Sequence, residues 1–205
     1  MRKNIKELLS FKNFIFDLDN TLYNENIYLF SAYEQIGIMV SKEYGIDKKI
    51  VYKYLTEEFL SSGRGMLFSR MVNKFNLNLS DLDSFLVLLR SHQLEKKIKL
   101  YDKMQRFLKE INGITSDMFI VTNGNVEQQK NKISQIHWND FLFKEIVFAN
   151  EYKPKPSNEA LEYLIDKYQL DRQRSIFIGD AKSDELCAIS SDVAFYHVNN
   201  ILKVY

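Results

Sequence analysis

Short, nearly continuous apolar runs alternate with longer stretches of helical periodicity along most of the chain. Phe14 to Leu18, Met118 to Thr122, Ser175 to Ile178 and Val193 to Val198 are such runs, with a weaker one at Glu145 to Phe148. Apolar runs of this length without strict alternation fit strands buried on both faces, the habit of parallel sheets. Between them, Asp102 to Ile111 places Met104, Phe107, Leu108 and Ile111 at helical spacing. Asn158 to Tyr168 does the same with Ala160, Leu161, Leu164, Ile165 and Tyr168. Strands alternating with such helices predict an α/β fold built on a doubly wound parallel sheet. Little follows the last apolar run, which predicts an edge strand.

Residues 24–100 break this alternation. Tyr28 to Tyr44, Lys48 to Leu60, Met66 to Phe75 and Leu82 to Ile98 all carry the helical period, punctuated at Gly45, Ser61 to Gly65 and Asn76 to Ser80. Ser80 is the expected cap of the last helix, with Asp83 three residues on. Four helices are too many for one crossover. The pattern predicts an α-helical insertion, 24–100, dividing an α/β core made of 1–23 and 101–205.

Composition changes this picture little. The 205 residues are 45% hydrophobic and 27% charged, ordinary for a globular protein. A net charge of +1 offers no field for nucleic acid or an anionic membrane. The single cysteine, Cys187, excludes an intramolecular disulfide and reads as a small core residue beside Ala188 and Ile189. His92, His137 and His197 lack zinc-ligand spacing. Met1 to Ser10 contains no apolar signal core, and no run is long enough to span a bilayer. These features point to the cytoplasm.

The chemistry lies where the strands end. Asp17-Leu18-Asp19-Asn20-Thr21 follows the first run directly, Thr122-Asn123-Gly124 closes the second, and Gly179-Asp180, with Asp184 four residues on, closes the third. Lys153-Pro154-Lys155-Pro156 follows the weak run. In a parallel sheet these ends converge on the edge where ligands bind. Carboxylates crowded together repel unless a cation compensates them, and Mg²⁺ takes oxygen ligands. Hydroxyl, backbone N–H and ammonium groups complete what phosphoryl transfer needs: a nucleophile, a metal and donors for the phosphoryl oxygens.

The four segments, in this order, resemble the ordered motifs of the haloacid dehalogenase superfamily, and the insertion resembles the helical cap of its subfamily I. Phe16 to Tyr23 is similar to the first motif in its phosphatase form. The resemblance implies a Rossmann-like core and a phosphatase using Mg²⁺. Asp17 would attack phosphorus and form an aspartyl-phosphate. Asp19 would protonate the leaving oxygen and then activate water. Thr122 and the backbone N–H of Asn123 would bind the phosphoryl group. The Lys-Pro-x-Pro pattern picks Lys153 as the charge-neutralising lysine and makes Lys155 the x, although two lysines compete there. Asp180 would ligate Mg²⁺ with the Asp17 carboxylate and the Asp19 carbonyl. Asp184 would hold a metal-bound water or orient Lys153; which of Asp180 and Asp184 touches the metal directly stays open. Arg64, flanked by glycines in the insertion, is the candidate contact to the substrate's leaving group.

The expected substrate is a small phosphorylated metabolite, a sugar phosphate or nucleoside monophosphate, turned over by a monomer or homodimer. A 2-haloacid dehalogenase shares the fold but lacks the second aspartate of the first motif, and here Asp19 is present. A phosphomutase keeps both aspartates and remains an alternative. So does a non-catalytic binding module, although an unused acidic cluster would only cost stability.

Overall fold

The computed structural model describes residues 5–114 and 116–204; residues 1–4, part of the charged N-terminal stretch, lie outside them. The chain divides into two units, one of residues 1–24, 97–129 and 136–205, the other of 25–96 and 130–135.

The first unit starts with α1 (Ile5–Leu8) and β1 (Asn13–Phe16), and continues after the insertion with β2 (Ile98–Lys99), β3 (Asp117–Thr122), β4 (Ile136–His137), β5 (Glu145–Phe148), β6 (Ser175–Gly179) and β7 (Ala194–His197). Five of these strands form one parallel sheet in the order β5-β3-β1-β6-β7. All four residues of β1 are buried, as its unbroken apolar run requires of a central strand. The chain builds outward from β1 through β3 to β5, then returns to add β6 and β7 on the other side. That reversal puts the C-terminal ends of β3 and β6 on either side of Asp17, the place where open α/β sheets bind ligands. The weak run at Glu145 and the final run form the two edge strands.

Helices α6 (Asp102–Asn112), α8 (Glu159–Tyr168), α9 (Lys182–Ser190) and α10 (Asn199–Leu202) belong to this unit. Ile15, Phe119, Val121 and Phe177 from the strands pack with Leu161, Leu164 and Ile165 of α8 and with Cys187 and Ala188 of α9. Cys187 is therefore a core residue. Burial raises its thiol pKa to about 11, so it is inert at neutral pH.

The second unit contains α2 (Asn26–Tyr44), α3 (Lys48–Ser62), α4 (Leu67–Phe75) and α5 (Asp81–Ser91), joined by the last residues of α7 (Val126–Gln135). Tyr33 forms edge contacts with Phe59 and Phe68, and Phe68 in turn packs on Phe85. Gly37 permits the close approach of α2 to α3, because a Cβ there would lie 2.9 Å from the Lys48 carbonyl oxygen.

Two expectations for the insertion need correction. The helical pattern running to Ile98 ends at Ser91. His92 leaves the helix at φ −55°, ψ 132°, and its carbonyl accepts from Asn131 Nδ2 and Gln135 Nε2 at 2.9 and 3.0 Å. Leu94 and Ile98 are four apart, which copies helical spacing, but Ile98 pairs with Ile136 as part of a two-stranded sheet in the first unit. Ser80 precedes α5 without a side-chain capping bond. Tyr44 instead ties down this end, donating to Asp81 Oδ2 and accepting from Asn78 N.

Helix α7 has a mostly polar sequence and no clear apolar stripe, so periodicity does not announce it. Its Lys132 ammonium lies 2.6 Å from Glu25 Oε1, both side chains almost fully buried, and Arg64 pairs with the other Glu25 oxygen. Breaking a buried pair from one side leaves an uncompensated charge. Glu25→Gln should therefore lower stability by about 3 kcal/mol, read as a drop in the urea midpoint at unchanged slope. A midpoint equal to wild type would show that the pair contributes nothing.

Candidate active site

Asp17 is the first residue beyond β1, and its backbone N–H is fixed by the Ile178 carbonyl at 2.9 Å. Its buried carboxyl meets a buried lysine, Lys155, whose Nζ lies 2.6 Å from Asp17 Oδ1, 2.7 Å from Asp184 Oδ1 and 2.8 Å from the Val121 carbonyl. An ammonium has three hydrogens, so these acceptors use all of them. Lys155 is aimed by Asn123, whose Oδ1 accepts from Lys155 N and whose Nδ2 donates to Lys155 O, each at 2.9 Å.

Lys153, the lysine picked from the motif pattern, is not brought to this cluster. Its side chain is 74% exposed and pairs with Glu159 at 2.6 Å. The two lysines alternate along a proline-spaced segment, and the Asn123 clamp turns Lys155 inward. Asn123 itself, expected to offer only its backbone N–H, uses its side chain for this clamp.

Asp184 lies in the first turn of α9 and is buried; its Oδ2 accepts from Ala181 N at 3.1 Å. Gly179 makes room for it, since a Cβ there would fall 2.4 Å from Asp184 Oδ2. Asp180 is half-buried. Carboxylate oxygens of Asp17, Asp180 and Asp184 lie within 4.8 Å of one another. Burial pushes the Asp17 carboxyl up to about 7; Lys155 pulls it back while Asp184 and Asp19 add to the rise. Burial, then Asp184, also raises Asp180. Burial works against the Lys155 charge, but Asp17 and Asp184 outweigh it and hold the ammonium above its ordinary value. Clustered oxygen donors that resist ionising together fit a hard divalent cation, whose charge would reverse that resistance.

Beside this cluster, Asp19 accepts from Tyr23 Oη at Oδ1 and from Gln129 Nε2 at Oδ2, 2.5 and 2.9 Å away. Thr122, at the end of β3, is buried and accepts from the same Gln129 amide at 2.7 Å. Tyr23 and Gln129 are partners that motif reading missed. Tyr23 closes the first-motif string, but Gln129 stands in a polar helix with nothing to single it out. Arg64 lies in the other unit, half-exposed and paired with Glu25.

A family model described as haloacid dehalogenase-like hydrolase matches residues 14–198. No curated protein matches the chain in sequence. Among solved structures, a hydrolase from Streptococcus pneumoniae TIGR4 is similar at 20% identity and TM-score 0.59, covering 95% of this chain and 98% of its own. A HAD phosphatase from Thermococcus onnurineus matches at 20% identity and TM-score 0.60, over 90% of this chain and 84% of its own. A Thermotoga maritima protein provisionally named beta-phosphoglucomutase matches at 15% identity and TM-score 0.70, over 94% and 97%. At these identities the likeness speaks for the fold.

Proposed function

The chain belongs to the haloacid dehalogenase-like hydrolases, and on that premise we propose that it is a Mg²⁺-dependent phosphatase acting on a small phosphate monoester. The observation that carries this reading is the buried Asp17–Lys155–Asp184 cluster with Asp180 beside it, at the ends of the central strands. Burying carboxylates costs stability, so such a cluster is retained for chemistry.

Asp17 attacks phosphorus through a carboxylate oxygen while the bond to the leaving oxygen breaks, giving an aspartyl-phosphate. Asp19 gives its proton to the leaving oxygen. It then takes a proton from water as that water attacks phosphorus, which frees inorganic phosphate and restores Asp17. Lys155 holds Asp17 through Oδ1 and balances the charge that gathers on the pocket. Thr122 donates its hydroxyl to a phosphoryl oxygen, with the Asn123 N–H beside it. Asp17, Asp180 and the Asp19 carbonyl would hold Mg²⁺, and Asp184 supports the site through Lys155. When bound, the cation neutralises phosphoryl charge that would otherwise repel the attacking carboxylate. Asp19 supports hydrolysis of phosphoesters over dehalogenation, which has no leaving oxygen to protonate.

Phosphate release across a panel of sugar phosphates and nucleoside monophosphates tests this reading, with no turnover on any member as the overturning result. Exhaustive chelation should cut activity at least about 100-fold, with recovery on adding Mg²⁺. Full activity after chelation would remove the metal from the scheme.

A further inference from the structure

We propose that Gln129 is a positioning residue that ties the Asp19 carboxylate and the Thr122 hydroxyl to a single amide group. The inference rests on the phosphatase reading above.

Gln129 is buried near the start of α7. Its Nε2 lies 2.9 Å from Asp19 Oδ2, 2.7 Å from Thr122 Oγ1 and 2.8 Å from the Asn123 carbonyl oxygen. A carboxylate and a carbonyl only accept, so the end of the side chain facing them is the NH₂ group. The Gln129 side chain lies alongside Gly124, whose φ of 120° is one that residues with a side chain rarely adopt.

Two consequences follow from the count of hydrogens. The amide has two, and three acceptors are within reach. Asp19 can therefore turn towards a leaving oxygen while both hydrogens stay satisfied by Thr122 and Asn123. Neither Gln129 hydrogen is orphaned by the movement, which would otherwise oppose it. The second consequence concerns Thr122. Because its oxygen receives an N–H from Gln129, its own hydrogen must point elsewhere. The protein acceptor facing it is the Asn123 carbonyl at a long 3.3 Å. A phosphoryl oxygen offers that hydrogen a better partner. One side chain thus parks the acid–base group and directs the phosphoryl donor.

Leaving groups of different basicity separate this role from a structural one. Proton donation by Asp19 matters for an alkoxide and little for p-nitrophenolate. Gln129→Met keeps an unbranched side chain of similar size without its donors. Its kcat on glycerol 2-phosphate should fall about 100-fold, against less than about tenfold on p-nitrophenyl phosphate, with each KM within about threefold. The ratio of the two losses does not depend on how much enzyme is folded. Should the Met variant fail to fold in thermal melts, Gln129→Glu, of matching shape, is judged by the same ratio. Equal losses on both esters, or none on either, would overturn the positioning role alone. If wild type does not turn over glycerol 2-phosphate, an alkyl ester from the metabolite panel takes its place; wild-type protein that hydrolyses none of these esters, with Mg²⁺ present, overturns the phosphatase reading and this inference with it.

Discussion

Asp17→Asn should abolish turnover while leaving the fold in place. The carboxylate lies at the end of β1, against Lys155 and within reach of both other carboxylates of the cluster. An amide has nearly the same shape, and its oxygen can still accept from Lys155, so the packing around it survives. What it lacks is nucleophilicity. Removing a covalent nucleophile commonly costs catalysis about 10⁴-fold or more, equivalent to roughly 5 kcal/mol of transition-state stabilisation. The measurement is single-turnover and steady-state phosphate release, with trapping of the phosphorylated protein in wild type and variant. Wild type should carry acid-stable phosphate on Asp17 and the variant none. Retention of more than about one per cent of wild-type activity in the variant would exclude the covalent route. A melting temperature close to wild type would show that the loss is chemical.

The core was legible wherever burial and chemistry made the same demand on a residue. β1, β3 and β6 are buried on both faces and carry apolar side chains, and each gives way to polar residues at its C-terminal end, where open parallel sheets bind ligands. Asp17, Thr122 and Asp180 fall at those ends, so an apolar run that stops abruptly reveals both the strand and its candidate site residue. The helical insertion was legible for the same reason, from the period of its apolar positions. Its last boundary was not. Leu94 and Ile98 keep helical spacing while the backbone has already turned at His92, because a half-buried Leu94 in a loop followed by a buried Ile98 in a strand produces the same pattern. Gln129 was hidden for a different reason. Its value comes from three acceptors supplied by residues up to 110 positions away in the chain, and no local pattern encodes a meeting of that kind. Glu25 and Lys132 form a buried pair across 107 positions and are hidden in the same way.

The lysine is the case where sequence and geometry part, and it yields the second decisive experiment. In Lys153-Pro154-Lys155-Pro156 the motif pattern favours the first lysine, while the Asn123 clamp brings the second to the carboxylates. Lys155→Met should lower kcat/KM by about 10³-fold, the scale of losing a fixed charge that balances a developing anion. It should also destabilise the protein by about 3 kcal/mol, because Asp17 and Asp184 then face each other without their shared ammonium. The sign of the pH dependence follows. With that ammonium gone, burial and the neighbouring Asp184 are left to raise the Asp17 carboxyl unopposed, so the variant should regain stability as the pH is lowered, until that carboxyl is neutral. Lys153→Ala gives the contrast. Its side chain is exposed and pairs with Glu159 at the surface, so kcat/KM should stay within about twofold of wild type. Both variants assayed with the same ester, beside urea unfolding at two pH values, separate the alternatives. A large loss at Lys153 with a tolerant Lys155 would return the motif role to Lys153 and leave the buried cluster without a part in the chemistry.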